Sequence, residues 1–322
     1  MGRKDTAGRE FFSDKRRFAE LLNIQFYHGE QVVLAENLMR IRRDYPALAG
    51  VYGEKERDLL IADSRHGIHY GMELETESDY SMPERIMVYD ACEYERQIRK
   101  LYKRHRETED FTEYREKKSR MKATDLLYPA VTIVLYLGEG HWKGKLRLSE
   151  MFRISEQDRK LLDGRLPEYD FLLVEADYVN TEDYQTDLKQ FFQAMQCRQD
   201  KKKLRELLRS ESFVHLDPEA ELAIAAHLHV KKLVHRMKKE EVSMCKAFDE
   251  LMEEERQKGR REGRREGKQE GKQEGKREGE KIGKKQERIS IIKRMYKRGM
   301  GEALIREMTG CTKKEFAAAL GK

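Results

Sequence analysis

A single stretch, residues 57–97, limits the folds open to this chain more than any other. Within it, residues 68–75 read I-H-Y-G-M-E-L-E. Successive side chains of a β-strand point to opposite faces of a sheet, so one face of this segment is apolar and the other carries Glu73 and Glu75. The alternation predicts a strand with a buried apolar face and an acidic face.

A second strand is predicted just before it, over the sequence R-D-L-L-I-A that begins at residue 57. A short turn around Gly67 joins the two strands as a hairpin, which brings Asp58 towards Glu73 and Glu75. Converging carboxylates repel one another unless a cation lies among them, and Mg²⁺ prefers hard oxygen ligands. Two interpretations follow: a magnesium site, or a hairpin whose acidic face is exposed to water.

The residues that follow the hairpin carry a family resemblance. The run Y-G-M-E-L-E-T-E-S-D-Y-S-M-P-E-R-I-M-V-Y-D-A-C-E-Y-E-R-Q resembles the bacterial recombination-promoting nuclease and transposase family of the PD-(D/E)XK superfamily. In that family an acidic strand precedes D-Y-x-M-P-x-R and a helix with Y-D-A-x-x-Y-x-x-Q. The resemblance covers most of residues 9–255. It implies an α/β fold of restriction-endonuclease type, in which helices flank a mixed sheet.

The same resemblance implies an activity and a set of site residues. The activity is that of a metal-dependent DNA endonuclease, which hydrolyses phosphodiester bonds with Mg²⁺ or Mn²⁺. The family's metal-binding acids match Asp58 and Glu73. Its helix positions match Arg85, Tyr89 and Gln97, and of these Gln97 or Arg85 is expected to tune the site.

Glu75 departs from the family pattern. The superfamily has Lys at this position and the family usually has Gln, and both can donate a hydrogen bond, whereas an ionised carboxylate only accepts. Glu75 is therefore either a further ligand or base, or the mark of a weakened site. In the second case the chain is an inactive DNA-binding or assembly protein derived from a nuclease.

One helix is predicted before the hairpin and one after it. Residues 9–23 form an amphipathic helix with Ser13 as its N-cap. Superfamily members often place an additional acid on the first helix, so Glu20 is a candidate metal ligand, and a solvated helix residue is the alternative. The helix after the hairpin is predicted to begin with a capping box formed by Ser81 and Glu84.

Further strands and helices are predicted after residue 127. The run Y-P-A-V-T-I-V-L-Y-L has the β-branched, apolar character of a buried strand, and residues 170–177, D-F-L-L-V-E-A-D, form a shorter one. Helices are expected over 184–209 and 217–240.

Composition bears on partners and location. The four cysteines are far apart and have no paired spacing, so neither a zinc site nor a disulfide framework is indicated. No apolar run reaches the roughly 18 residues of a membrane span, and the first residues lack a signal-peptide core. We expect a bacterial cytoplasmic protein without a membrane partner.

The basic character of the chain belongs to its C-terminal tail. Residues 256–322 contain 22 Lys and Arg against 10 Asp and Glu, and the rest of the chain contains 44 against 50. Glycine recurs every fourth residue from Gly259 to Gly283. Seven glycines inside a helix cost about 6 to 7 kcal/mol relative to alanine. This favours a flexible basic tether over a helix whose glycines admit a partner backbone.

Residues 288–322 predict short helices divided at Gly299 and Gly310, with Thr312 capping the last one. A compact face of apolar residues supports a helix-turn-helix-like unit: Ile291, Ile292, Met295, Leu304, Ile305, Met308 and Phe316. Basic residues offer DNA phosphate contacts: Arg294, Lys297, Arg298, Lys313 and Lys314. A helical tail through which the protein forms a homo-oligomer is the alternative.

The predicted organisation has four parts. These are a nuclease-like domain (1–180), a helical region that packs on it (181–255), the glycine repeat (256–287) and the C-terminal unit (288–322).

Overall fold

The computed structural model describes residues 3–41, 56–162, 164–228 and 243–321, together with positions 233, 235 and 237. The chain divides into two compact units, Met1–Leu251 and Met252–Lys322.

A mixed sheet of five strands lies in the described part of the first unit. Its strands follow one another across the sheet in chain order: β1 (Leu38–Arg40), β2 (Leu59–Asp63), β3 (Ile68–Glu75), β4 (Ala130–Tyr136) and β5 (Leu172–Glu175). Strands β1, β2 and β3 pair antiparallel, whereas β3, β4 and β5 pair parallel. The predicted hairpin and the two later strands are confirmed.

Helices cover both faces of the sheet, which confirms the α/β class with a mixed sheet. The described helices of this unit are α1 (Arg3–Phe12), α2 (Lys15–Tyr27), α3 (Met82–Glu107), α4 (Tyr114–Ser119), α5 (Glu156–Leu161), α6 (Leu188–Cys197), α7 (Lys201–Leu208), α8 (Glu211–Val214) and α9 (Pro218–His227).

The alternation in β3 decides which helix lies on which face. Tyr70 and Met72 are fully buried on the apolar face, where the hydroxyls of Tyr70 and Tyr27 on α2 are hydrogen-bonded at 2.9 Å. The opposite face of β3 packs against α3, because Arg85 of this helix contacts Glu73. The acidic face of the hairpin is therefore covered by protein and not exposed to water.

Two predicted helix starts are corrected. The helix expected over residues 9–23 is two helices, α1 and α2, and the N-cap of α2 is Asp14, whose carboxylate accepts the backbone N–H groups of Arg16 and Arg17. The Ser13 hydroxyl donates to the carbonyl of Glu10 instead.

The second correction concerns α3. This helix begins at Met82 as expected, but Ser81 makes no capping hydrogen bond to the helix. Its hydroxyl donates to the carboxylate of Asp79. The predicted capping box is wrong because Ser81 has φ −99° and ψ 4°, not the extended backbone from which an N-cap oxygen accepts the N–H groups of the first turn.

An aromatic core holds the N- and C-terminal helices of this unit together. The rings of Phe11 and Phe191 stack at 5.1 Å, and Arg17 pairs with Asp187 through two hydrogen bonds of 2.6 and 2.7 Å. The helix expected over 184–209 is present as α6 and α7, which Asp200 separates by capping α7. The helix expected over 217–240 is described as α9 to His227, and most of its predicted continuation lies outside the described residues.

The second unit is helical. It contains most of α10 (Met244–Lys297), followed by α11 (Glu302–Thr309) and α12 (Lys313–Leu320). The predicted turns at Gly299 and Gly310 and the cap at Thr312 are confirmed, and Thr312 forms a capping box with Glu315.

The C-terminal unit buries a smaller apolar face than predicted. A core cluster contains Ile292, Ile305 and Phe316. Three residues expected in this face are exposed instead: Ile291, Leu304 and Met308. The short helix α11 packs through Ile305, so Leu304, about 100° away around the helix axis, points outward.

The glycine repeat is helical and not a tether, because α10 runs through all seven glycines. Apart from Ile282, the residues between the glycines are Arg, Lys, Gln and Glu, which rank among the best helix formers. Oppositely charged neighbours one turn apart, such as Lys258 and Glu262 at 3.8 Å, add support. None of the helices in the described ranges combines the length and apolar character needed to cross a bilayer.

Candidate active site

The start of β2 and the end of β3 bring two acids together. Leu59 is the register partner of Met72, so the next position along the hairpin sets Asp58 beside Glu73. The Asp58 carboxylate accepts the backbone N–H of Leu74 at 2.9 Å, which fixes it at this end of the hairpin. Arg9 on α1 lies 3.8 Å from its other oxygen.

Glu73 is the most perturbed acid of this group. It is 1% exposed, and its Oε2 accepts a hydrogen bond from Arg85 at 3.0 Å. Its Oε1 is buried without a hydrogen-bond partner among the described residues. Burial, together with repulsion from Asp58, raises the pKa of Glu73 to about 8 against the attraction of Arg57 and Arg85. The two arginines therefore do not fully offset burial and the charge of Asp58.

Arg85 is the hub of the polar contacts at this end of the sheet. Its guanidinium lies 3.0 Å from Glu73, 2.8 Å from Glu75 and 2.6 Å from Asp79. Burial opposes the charge of Arg85, but the hydrogen bond to Asp79 and the charge of Glu73 outweigh it and raise its pKa. Arg85 therefore lies directly against the three carboxylates.

Glu75 lies within the same group. Burial raises the pKa of Glu75, and the neighbouring charges of Asp58 and Asp79 act in the same direction, while Arg85 opposes them. Its Oε1 accepts from Arg85. Arg85 thus supplies a hydrogen-bond donor beside Glu75.

Arg57 is a further charged residue near Glu73, and the sequence did not reveal it. It is fully buried, pairs with Asp90 and donates to the Thr132 hydroxyl at 2.6 Å. Its guanidinium lies 5.1 Å from the ring centroid of Tyr89. A Cβ at Gly71 would lie 1.9 Å from Arg57 Nη1, so the glycine makes room for the arginine. A glycine inside a strand was the available signal.

Tyr89 lies beside the acids, whereas Gln97 does not. The charge of Glu73 helps to raise the pKa of Tyr89, after burial. The Gln97 amide instead accepts the N–H of Tyr128 at 2.8 Å and donates to the Tyr128 carbonyl and to Glu93, both at 3.1 Å. Twelve residues separate it from Arg85, about 18 Å along a helix. Gln97 therefore has a structural role in anchoring the start of β4.

Glu20, like Gln97, does not lie with Asp58 and Glu73. Its two carboxylate oxygens accept hydrogen bonds from the backbone of Gln185 and Thr186 and from the Thr186 hydroxyl. These contacts tie α2 to the segment before α6. Both oxygens are occupied, so Glu20 does not join the candidate ligands.

The fit of a divalent cation depends on Asp58 and Glu73. Within the described ranges, no group of three or more His, Cys, Asp and Glu side chains is arranged to hold a metal. Mg²⁺, however, is usually held by one or two carboxylates together with waters and substrate phosphates. Two neighbouring carboxylates, one with an unpartnered oxygen and a pKa of about 8, match that requirement.

The basic residues predicted to contact DNA lie in the second unit. All five are exposed: Arg294, Lys297, Arg298, Lys313 and Lys314. Arg294 and Lys297 line a shallow groove of about 540 Å³ with Lys293 and Tyr296. The groove combines cationic and aromatic groups, which suits a phosphate backbone.

Comparisons with protein-family models, curated proteins and solved structures find no match to the chain. The family resemblance of the hairpin and α3 stays a prediction. The function is therefore argued from the geometry of the site.

Proposed function

We propose that the protein is a metal-dependent DNA endonuclease of the PD-(D/E)XK type, which hydrolyses phosphodiester bonds with Mg²⁺ or Mn²⁺. The observation that supports it most strongly is the pairing of the half-buried Asp58 with the fully buried Glu73. An acid that is 1% exposed and leaves one oxygen unpartnered is costly to keep in a fold. A cation held there removes that cost.

Asp58 and Glu73 are the residues that would hold the metal. A bound divalent cation supplies a water of lowered pKa and neutralises charge that develops on the phosphodiester. The Leu74 N–H orients the Asp58 carboxylate. Arg85 positions Glu73 and Glu75, and Glu75 is the group within reach to accept a proton from the attacking water.

Cleavage of supercoiled plasmid with Mg²⁺ tests the proposal. We expect Asp58→Asn and Glu73→Gln to lower the nicking rate by more than about 100-fold, because loss of even an outer-sphere partner of a metal ligand costs about 10- to 100-fold. Glu95→Gln is the matched control, since Glu95 lies on α3 but pairs with Arg99 and Arg120. Equal nicking by all four proteins would remove the assignment.

A second candidate is a DNA-binding or assembly protein whose nuclease site has lost activity. The observation that favours it is Arg85, which already places positive charge against Glu73, Glu75 and Asp79. Titration calorimetry separates the candidates. Mg²⁺ binding that Glu73→Gln abolishes supports the nuclease, whereas salt-dependent DNA binding without any Mg²⁺ binding supports the second candidate.

A further inference from the structure

An exposed pair of stacked aromatic rings lies near the carboxyl ends of β4 and β5. The rings of His141 and Tyr178 are 4.0 Å apart and within 10° of parallel. The His141 side chain is 70% exposed and Tyr178 is 53% exposed. Stacked rings with this exposure offer a flat π-surface to a further ring.

The stacked pair is held on a rigid support. The two oxygens of the Glu175 carboxylate bind neighbouring groups, His141 Nδ1 at 3.2 Å and the N–H of Trp142 at 2.6 Å. The Trp142 ring packs edge-on against Tyr136 at 5.4 Å and against Phe171 at 6.2 Å. The loop that carries His141 is thus fixed to both strands.

Strand register relates this surface to the candidate active site. Glu75 pairs with Tyr136, and Tyr136 pairs with Glu175. Neighbouring strands lie about 4.8 Å apart, so the backbone of Glu175 is about 10 Å from that of Glu75.

The same loop also contacts the segment after β3. The N–H of Lys143 donates to the Ser78 hydroxyl at 2.9 Å. A Cβ at Gly144 would lie 2.9 Å from the carbonyl oxygen of Asp79, so the glycine permits this close approach. Asp79 in turn binds Arg85. The loop that carries His141 is therefore connected to the acids through a chain of contacts that includes Asp79 and Arg85.

The chemistry of this surface indicates its ligand. Lys143 and Lys145 are exposed in the same loop as His141. Aromatic rings that stack bases, set beside cations that contact phosphates, are the means by which proteins bind single strands. A duplex keeps its base faces stacked on each other, so only unpaired nucleotides can use such a surface.

We infer that His141 and Tyr178 stack on an unpaired base of the substrate strand, and that the substrate is single-stranded or locally unpaired DNA. This inference rests on the proposed nuclease function and deepens it by naming the substrate class. The strand runs from the aromatic pair towards Glu75, with Lys143 and Lys145 on its phosphates.

Binding without cleavage tests the inference. Full-length protein in EDTA is titrated with a labelled oligothymidine and with a duplex of equal length, and the single tryptophan, Trp142, reports on the loop by its fluorescence. We expect Tyr178→Ala to weaken oligothymidine binding about 5- to 100-fold, the effect of losing one base stack. Tyr178→Phe keeps the ring and the affinity, and duplex binding stays unchanged.

Tyr114→Ala is the control, since Tyr114 is an 80% exposed tyrosine on α4, and urea unfolding verifies that each variant is folded. Three results overturn the inference: unchanged oligothymidine affinity in Tyr178→Ala, an equal loss for both oligonucleotides, or no oligothymidine binding by the wild type. The experiment contains no metal and leaves Asp58 and Glu73 intact, so its failure is separate from failure of the plasmid assay, which depends on the metal and on those two acids.

Discussion

At the level of single residues, the balance of charge around Glu73 controls the site. Burial and Asp58 favour its neutral form, and Arg57 and Arg85 favour its ionised form. Glu93, another buried glutamate, lies on α3 and shows the opposite pKa shift. Burial works against its charge, but the hydrogen bond from His69 and the charge of Arg96 lower its pKa. The surroundings of these two buried glutamates therefore shift their pKa values in opposite directions.

This difference predicts how stability changes with pH in the metal-free protein. The pKa of Glu73 is about 8 in the folded protein, against an ordinary value of 4.5 for a glutamate carboxyl, so the folded protein binds more protons than the unfolded chain between these values. The contribution of Glu73 to the free energy of unfolding is therefore fully present below about pH 4.5, and it is lost as the pH rises through about 8. We expect Glu73→Gln to be on the order of 4 kcal/mol more stable than the wild type at pH 9 and equal at pH 4.

Urea unfolding in EDTA across this pH range measures the difference. Glu93→Gln is the matched control with the opposite sign, because a lowered pKa adds stability above the unfolded value. A pH-independent difference between Glu73→Gln and the wild type contradicts the electrostatic account.

At the level of elements, helix α10 carries the glycine repeat without any visible packing reason for it. A Cβ at each of the seven glycines would meet nothing within 4 Å in the described residues. A residue that recurs every fourth position advances about 40° around the helix, and seven glycines drift by about 240°. They do not form one straight stripe, so a single straight partner helix cannot contact all of them.

We therefore expect the triple substitution Gly267→Ala, Gly271→Ala and Gly275→Ala to stabilise α10. Each replacement gains about 0.8 to 1 kcal/mol of helix propensity, and no steric cost opposes it. Circular dichroism should show higher helix content and a higher melting temperature of the tail.

The control is the triple alanine variant of three glutamines of the same helix, Gln269, Gln273 and Gln286, which should change little because Gln is already a good helix former. A glycine variant that loses self-association while its helix content stays constant contradicts this expectation and supports close backbone contact with a partner.

At the level of the whole molecule, charge separates the two parts of the chain. Residues 256–322 carry a net charge of +12, whereas the residues before them carry −6. The proposed catalytic acids lie in the acidic part, and a DNA backbone is repelled by acids. We propose that the basic tail supplies the sequence-independent attraction to DNA.

Neutralising the tail tests this division of roles. The variant replaces Arg294, Lys297, Arg298, Lys313 and Lys314 by glutamine. Each lost phosphate contact lowers the slope of log K against log salt by about 0.9, so DNA affinity at low salt should fall and depend less on salt. Fluorescence anisotropy at several salt concentrations measures the slope, and the Mg²⁺ affinity of the first unit should stay unchanged.

Glutamine replacement of five exposed cations on α3 and α4, namely Lys100, Lys103, Arg106, Lys117 and Lys118, is the control. Equal slopes for the two variants contradict a specific role for the tail. An altered oligomeric state in the tail variant alone supports the homo-oligomer alternative.

Local patterns in the sequence were sufficient for several elements. The period-two alternation in β3, the apolar run in β4 and the Thr312 cap each depend on residues within a few positions of one another, and the structure contains all three. The pairing of β2 with β3 also followed from sequence, because a short turn leaves few alternatives. These features placed Asp58 beside Glu73.

Long-range packing settled what these patterns left open. The burial of Glu73, its contact with Arg85 and the space that Gly71 leaves for Arg57 depend on α3 lying across the acidic face of β3. The same packing places Gln97 against Glu93 and Tyr128, away from Asp58 and Glu73. A sequence motif records which side chains are present, but distance and exposure to water set their charge, and only the packed chain fixes both.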